Sequence, residues 1–207
     1  MPQNSGYHHG DLRAACLRAA RELLEEDGSA GLSLRAVARR AGVSATAPYR
    51  HFADRDALVS GVAAQGYREL TEKLAAAHPS PSTPDDLAAL SVVYVRFALE
   101  HPALFRAMFA EPCDPTSEER VAATAVIREY VQGIVRSAFP HADDPAALST
   151  TIWALVHGLA FLHLDGKLDS STPQVVAEQV RAAVRALFTA PSAMPGTTAA
   201  SAQETTV

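Results

Sequence analysis

An all-α chain is predicted, because three features of the sequence agree. Apolar residues recur at spacings of three and four almost throughout. No segment alternates with the period of two that a half-buried strand requires. Helix-capping residues, prolines and glycines punctuate the pattern at clear intervals. About nine helices follow, arranged as an N-terminal three-helix unit over residues 10–77 and a larger helical unit over residues 84–189.

The first helix is expected from about Asp11 to Asp27, with Leu12, Cys16, Ala19 and Leu23 on one face and Gly28 ending it. Ser33 is placed as cap of a short second helix carrying Leu34, Val37, Ala38 and Ala41, which stops at Gly42. Ser44 caps a third that ends near Phe52. Pro48 is its fourth helical residue, so it is expected to forfeit the first intrahelical hydrogen bond and leave the helix standing. Asp54 opens a fourth helix through Leu58, Val62 and Tyr67 to about Ala77.

Three prolines between His78 and Pro84 cannot continue a helix and mark the boundary. Beyond it Thr83 is the N-cap, Pro84 the first helical residue, and Asp85 and Asp86 sit in the positive first turn; Leu87, Leu90, Tyr94 and Phe97 form the stripe. A short helix follows from Pro102 to about Ala110. Thr116 and Glu119 have the spacing of a capping box for a long helix that stops before Pro140. Asp144 and Pro145 start another, to about Leu168, and Thr172 and Pro173 the last. Residues 1–9 are expected to be a flexible arm, and residues 190–207, which lack periodicity, a disordered tail.

The net charge of −5 over 207 residues does not announce a nucleic-acid binder, yet charge is unevenly placed. Residues 28–53 hold Arg35, Arg39, Arg40 and Arg50 and no acid, a local patch that attracts phosphate. The first 30 residues lack the layout of a secretory signal. The apolar run Ile152–Leu164 is interrupted by His157, Gly158 and His163 and reads as too short to span a bilayer. The expectation is a cytoplasmic protein with no membrane partner. Cys16 and Cys113, far apart, suggest neither a disulfide framework nor a zinc site.

Two short helices around a glycine turn are the sequence form of a helix-turn-helix. Ala38 is small where the helices must approach, Gly42 supplies the left-handed turn, and Val43 plugs the angle. The third helix then presents Ala45, Thr46, Ala47, Tyr49, Arg50 and His51, short or hydrogen-bonding groups suited to base edges and phosphates. The run from Ala41 to Leu58, with Gly42-Val43-Ser44 before Tyr49-Arg50-His51-Phe52, resembles the signature of TetR-family regulators. Tyr7-His8-His9-Gly10-Asp11-Leu12 and the later Trp153, His157 and Gly158 resemble the subgroup of that family named for a Trp-His-Gly motif. The resemblance implies a homodimeric transcriptional regulator, most simply a repressor released from a palindromic double-stranded operator by a small-molecule effector, with activation the alternative. It also implies DNA contacts from Ser44, Thr46, Tyr49 and His51 and a phosphate contact from Arg55. Ser33, Arg35, Ala45 and Arg50 complete the candidate DNA-binding set.

In the second unit Trp153, His157 and Phe161 share a helix side at spacings of four. With Tyr94, Phe97, Phe105, Met108, Phe109, Ile127 and Tyr130 they form the candidate effector pocket, against a plain reading as core. Ala147, Thr151, Ala154 and Gly158 form a small-residue stripe that admits close helix approach. With Val176, Val180, Val184 and Leu187 of the last helix it is the candidate dimer interface. An enzyme is disfavoured: His157 and His163 lie about 240° apart around their helix, and no nucleophile elbow or phosphate loop is present. No cofactor or metal site is expected, although a metal-sensing regulator using His8, His9, Cys113 or His141 is the rival to weigh.

Overall fold

The computed structural model describes residues 9–109 and 114–189. His9 already belongs to the first helix; the rest of the expected arm, Cys113, and the tail over residues 190–207 lie outside the described residues. The described chain forms eight α-helices: α1 (His9–Asp27), α2 (Leu34–Arg40), α3 (Arg55–Ala77), α4 (Pro84–Glu100), α5 (Pro102–Phe109), α6 (Glu118–Ala138), α7 (Pro145–Leu164) and α8 (Pro173–Thr189). Two single-turn 3-10 helices, Ser29–Gly31 and Pro48–Arg50, accompany them, and no strand occurs among the described residues.

Local chemistry explains most boundaries. The Ser33 hydroxyl accepts from Ala36 N at 3.2 Å, the Asp54 carboxylate from Ala57 N at 2.8 Å, and the Asp144 carboxylate from Ala146 N and Ala147 N. Each satisfies an orphan donor of a helix start. Thr83 and Asp86 form a reciprocal capping box. The box expected at Thr116 and Glu119 does not form. Thr116 donates its hydroxyl and its N–H to the Asp114 carboxylate at 2.6 and 2.8 Å, and Ser117 becomes the cap of α6, accepting from Arg120 N. A carboxylate outcompetes the neutral acceptors for Thr116. α7 ends at Leu164, short of the expected Leu168: Gly166 takes φ 64°, its N–H reaches His163 O, and Lys167 N–H reaches Leu162 O, a Schellman closure.

The helices share a single apolar core. α3 packs on α1, α4, α5 and α6, and α4 packs on α7 and α8. Leu58, Val59, Val62, Ala63, Ala64, Tyr67, Leu70 and Leu74 are all buried, so α3 is enclosed along nearly its whole length. Its neighbours come close at two glycines. A Cβ on Gly61 would lie 2.9 Å from Leu17 Cδ2 and 3.2 Å from Phe52 Cε1, and one on Gly66 would lie 2.6 Å from the sulfur of Met108.

α8 corrects one expectation. Val176, Val180 and Val184, assigned above to a dimer face, are 2%, 0% and 0% exposed within the chain itself. They form the only apolar stripe that α8 offers, and it is taken up in the contact with α4. The opposite side carries exposed Gln174, Glu178, Arg181 and Arg185. Of the four residues named on this helix only Leu187 is exposed.

Replacing Val180 with Ala is therefore expected to lower the unfolding free energy by about 1–3 kcal/mol through lost burial and a residual cavity. Urea titration measures this, and sedimentation of the folded variant is expected to match the parent.

Candidate nucleic-acid interface and ligand cavity

α2 closes as the glycine turn requires: Gly42 adopts φ 67°, with Gly42 N–H to Arg39 O and Val43 N–H to Ala38 O. The next segment departs from the expected α-helix. Ala47 N–H bonds to Ser44 O at 2.9 Å, Arg50 N–H to Ala47 O at 3.2 Å and His51 N–H to Pro48 O at 3.0 Å. Pro48 has no N–H to offer Ser44 O, so the residue before it does so and the i→i+3 pattern propagates into a 3-10 turn. The Ser44 hydroxyl lies 3.4 Å from that of Thr46. Pro48 is buried, while Ser44, Ala45, Thr46, Tyr49 and Arg50 are exposed, Tyr49 by half. His51 is half-buried with Nε2 enclosed and unpartnered. The buried Phe52 ring has the Arg13 guanidinium 5.5 Å from its centroid.

The arginines divide into two groups. Arg35, Arg39 and Arg50 are exposed and make no ion pair among the described residues. Arg40 is held by Glu26 at 2.5 Å and Glu22 at 3.4 Å from α1. Arg55 donates to the carbonyl and hydroxyl of Ser29 at 3.1 and 2.7 Å, and exposed Ser33 caps α2. The acid-free stretch of sequence thus acquires two acids from α1 by folding.

Behind this surface, Glu119 at the start of α6 forms an ion pair with Arg13 of α1 and another, at 3.1 Å, with Arg68 of α3. Arg13 is the same residue that covers Phe52.

A cavity of about 180 Å³ lies between α3, α4, α6 and α7. Of the ten expected pocket residues Tyr94, Phe109, Ile127, Tyr130 and Trp153 line it. Phe97, Phe105 and Met108, all at most 1% exposed, pack in the core. His157 and Phe161 join an aromatic cluster with Phe105 and Phe109, whose ring centroids lie 4.6–5.7 Å from theirs where paired. From α7 the cavity is lined by Ser149, Thr150, Ile152, Trp153 and Val156, and His157 and Phe161 do not line it. Tyr67 and Leu74 of α3, Leu87 and Leu90 of α4, Arg128 of α6 and Ile152 of α7 also line it and were missed. Leu87 and Leu90 were legible as a stripe but not as a wall.

The wall is less polar than its composition. The hydroxyls of Ser91, Thr124, Ser149 and Thr150 each donate to the carbonyl four residues earlier, at 2.7–3.0 Å. Across α7, Ala147, Thr151 and Ala154 are exposed, and nothing lies within 4 Å of a Cβ placed on Gly158. α7 is long and apolar enough, at mean hydropathy 1.4, to cross a membrane by length and composition. Only a third of that stretch is buried within the chain. Among the described residues no three His, Cys, Asp or Glu side chains gather as a metal set.

Residues 17–62 match the family described as bacterial regulatory proteins, tetR family, and residues 87–201, more than half the chain, match the tetracyclin repressor-like C-terminal domain. The chain belongs to the TetR family. A solved protein of unknown function from Rhodococcus sp. RHA1 is 35% identical, with a TM-score of 0.73 over 88% of this chain and 98% of its own. An HTH-type transcriptional regulator from Mycobacterium tuberculosis is 28% identical over 130 residues, 59% of this chain and 56% of that protein, so the match spans little more than half of the curated relative. A TetR-family regulator from Pectobacterium atrosepticum shares the fold at TM-score 0.68 and 21% identity, over 90% of this chain and 96% of its own. The family matched by residues 17–62 is described as regulatory, and the Mycobacterium tuberculosis relative as a transcriptional regulator.

In this TetR-family chain His157, the middle member of the triplet Trp153, His157 and Gly158, takes part in a neutral hydrogen bond. Burial holds the His157 imidazole below the ordinary 6.5 and pushes the Tyr94 phenol up. The Tyr94 hydroxyl and His157 Nδ1, 3.0 Å apart, thus share a hydrogen bond between two neutral groups. Burial also lowers His163, with Asp169 opposing it. A histidine lowered in the folded state binds fewer protons there than when unfolded, so its stability contribution is complete above 6.5 and is lost as pH falls below it. Unfolding free energy measured by urea is expected to fall as pH drops from just above to well below 6.5, and His157→Gln is expected to flatten that decline.

Proposed function

We propose that this TetR-family chain is a homodimeric, DNA-binding transcriptional regulator, a repressor released from its operator when a small molecule occupies the α3–α4–α6–α7 cavity. One observation carries the reading. α3 has Gly61 packed against Phe52, directly after the 3-10 turn, and Tyr67 and Leu74 in the cavity wall. Residues 10–77 are read as the DNA-binding unit and residues 84–189 as the effector and dimerisation unit.

On this reading exposed Ser44, Ala45, Thr46 and Tyr49 face the major groove, and Arg50, Arg35 and Ser33 meet phosphates. Arg55 meets phosphate by exchanging its Ser29 contacts, and His51 makes its contact with its Nδ1 side, since Nε2 is enclosed. A second copy covers the exposed Ala147, Thr151, Ala154 and Gly158 side of α7, with Leu187 at its border. Such pairing places two recognition segments about one helical turn apart, roughly 34 Å, on a palindrome. An occupant of the cavity displaces Tyr67 on α3 and Ile127 on α6, and α6 carries Glu119 to Arg13. Both routes alter the spacing of the two segments. Trp153, His157 and Gly158 support placing the chain in the Trp-His-Gly subgroup, with Trp153 at the cavity and Gly158 at the seam. Occlusion of a promoter gives repression; the same geometry beside a promoter gives activation.

Selection of bound duplexes from a random pool tests DNA binding and two-fold symmetry together, a palindromic consensus being expected. Arg50→Ala is expected to weaken specific and unrelated DNA alike and to lower the salt slope by about one unit per protomer, about two for the dimer. Thr46→Ala is expected to change base preference instead. In sedimentation, Gly158→Leu is expected to shift the protein toward monomer and reduce operator affinity in parallel, because overpacking a close helix contact costs about 1–3 kcal/mol.

A further inference from the structure

The charge content of the cavity wall restricts what can enter it. Its lining holds one charged side chain, Arg128, and no carboxylate. Arg128 stands exposed at the rim, with no ion pair or hydrogen bond among the described residues. One turn further along α6, Gln132 also lines the cavity, and one turn beyond it Arg136 lines the adjoining depression that Gln132 shares. These three lie four residues apart and so form a row along one side of α6. Asp144, the carboxylate in that depression, is engaged with Ala146 N and Ala147 N at 3.0 and 2.9 Å. The inner wall is apolar and aromatic, and its four aliphatic hydroxyls have given their protons to helix carbonyls. Tyr130, beside Arg128, has a buried hydroxyl without a partner, and burial pushes its phenol up, so that it remains a donor.

Resting on the assignment of this cavity as the effector site, we infer that its ligand is an amphipathic monoanion: a compact apolar body in the cavity with a carboxylate at the rim against Arg128. A cationic ligand would bring its charge to Arg128 and find no acid to offset the repulsion. A wholly apolar ligand would cover the rim and leave the guanidinium partly desolvated without a partner, which is unfavourable. A carboxylate forms the charge-assisted, two-pronged bond for which guanidinium geometry is suited.

The test uses three compounds of equal chain length, octanoate, 1-octanol and octylamine, titrated against the full chain at neutral pH. Emission of Trp153, the only tryptophan, reports binding and a thermal-shift assay provides a second readout. Octanoate is expected to bind about tenfold tighter than octanol, the increment of one charge-assisted hydrogen bond, and octylamine more weakly than either. Arg128→Ala is expected to weaken octanoate until it no longer exceeds octanol, without weakening octanol, and Arg128→Lys to keep part of the preference. Octanol or octylamine binding as tightly as octanoate would overturn the monoanion while leaving the cavity assignment standing. An octanoate preference that survives Arg128→Ala and vanishes in Arg136→Ala would overturn the role of Arg128. Failure of all three compounds to alter Trp153 emission or melting temperature would overturn the cavity assignment, and the ligand class with it.

Discussion

The enclosure of α3 is the constraint on which the remaining architecture depends. Over Leu58 to Ala64 every residue of α3 is buried, so this stretch has no solvent face to slide outward; it moves as a unit or its neighbours move. The two close approaches, at Gly61 against Leu17 and Phe52 and at Gly66 against Met108, set its depth against α1 and α5. Interiors packed to crystal-like density transmit displacement in place of absorbing it. Tyr67 tightens the arrangement by donating its hydroxyl to Met108 O at 2.8 Å.

Polar contacts around α3 join the two ends of the molecule at further points. Glu119 receives guanidinium groups from both α1 and α3. The segment after α5 returns to the start of α3, where Asp114 N–H reaches Asp56 O and the buried Ser60 hydroxyl reaches Asp114 O. Arg21 of α1 bridges to Glu69 of α3 at 2.5 Å. These pairs are partly exposed, and each contributes little to stability alone. Their value is geometric, since they fix the azimuth of α1 around α3 while the apolar core fixes its distance.

Much of this was legible because helix ends are decided locally. Ser33, Asp54, Thr83 and Asp144 cap where a short polar side chain meets an apolar period. Ser117 displaced Thr116 because Asp114, two residues away, competed for the threonine. Pro48 was underestimated: removing one donor from so short a segment leaves i→i+3 bonds at Ala47, Arg50 and His51 and a single i→i+4 bond, from Phe52 N–H to Pro48 O. Apolar stripes identify which residues share a face and not what covers it, so Val176, Val180 and Val184 were placed at a surface that the chain itself occupies. Aromatic spacing likewise cannot separate Phe97 and Phe105, in solid core, from Tyr94 and Phe109, beside a void. The pairing of Arg40 with Glu22 and Glu26 joins residues 14 and 18 apart and is invisible to any local window.

That pairing has a kinetic consequence. In a chain of net charge −5, pairing Arg40 with α1 withholds it from the proposed contact surface, leaving Arg35, Arg39 and Arg50 without an ion pair among the described residues and Arg55 to be released from Ser29. Each cation withheld releases one counterion fewer per protomer, which weakens holding on arbitrary duplex and makes the dependence on salt less steep. On the proposed function, such a surface shortens visits to arbitrary duplex relative to one with Arg40 exposed. Occupancy of an operator then depends more on the fit of Ser44 to Tyr49 against the bases and less on charge.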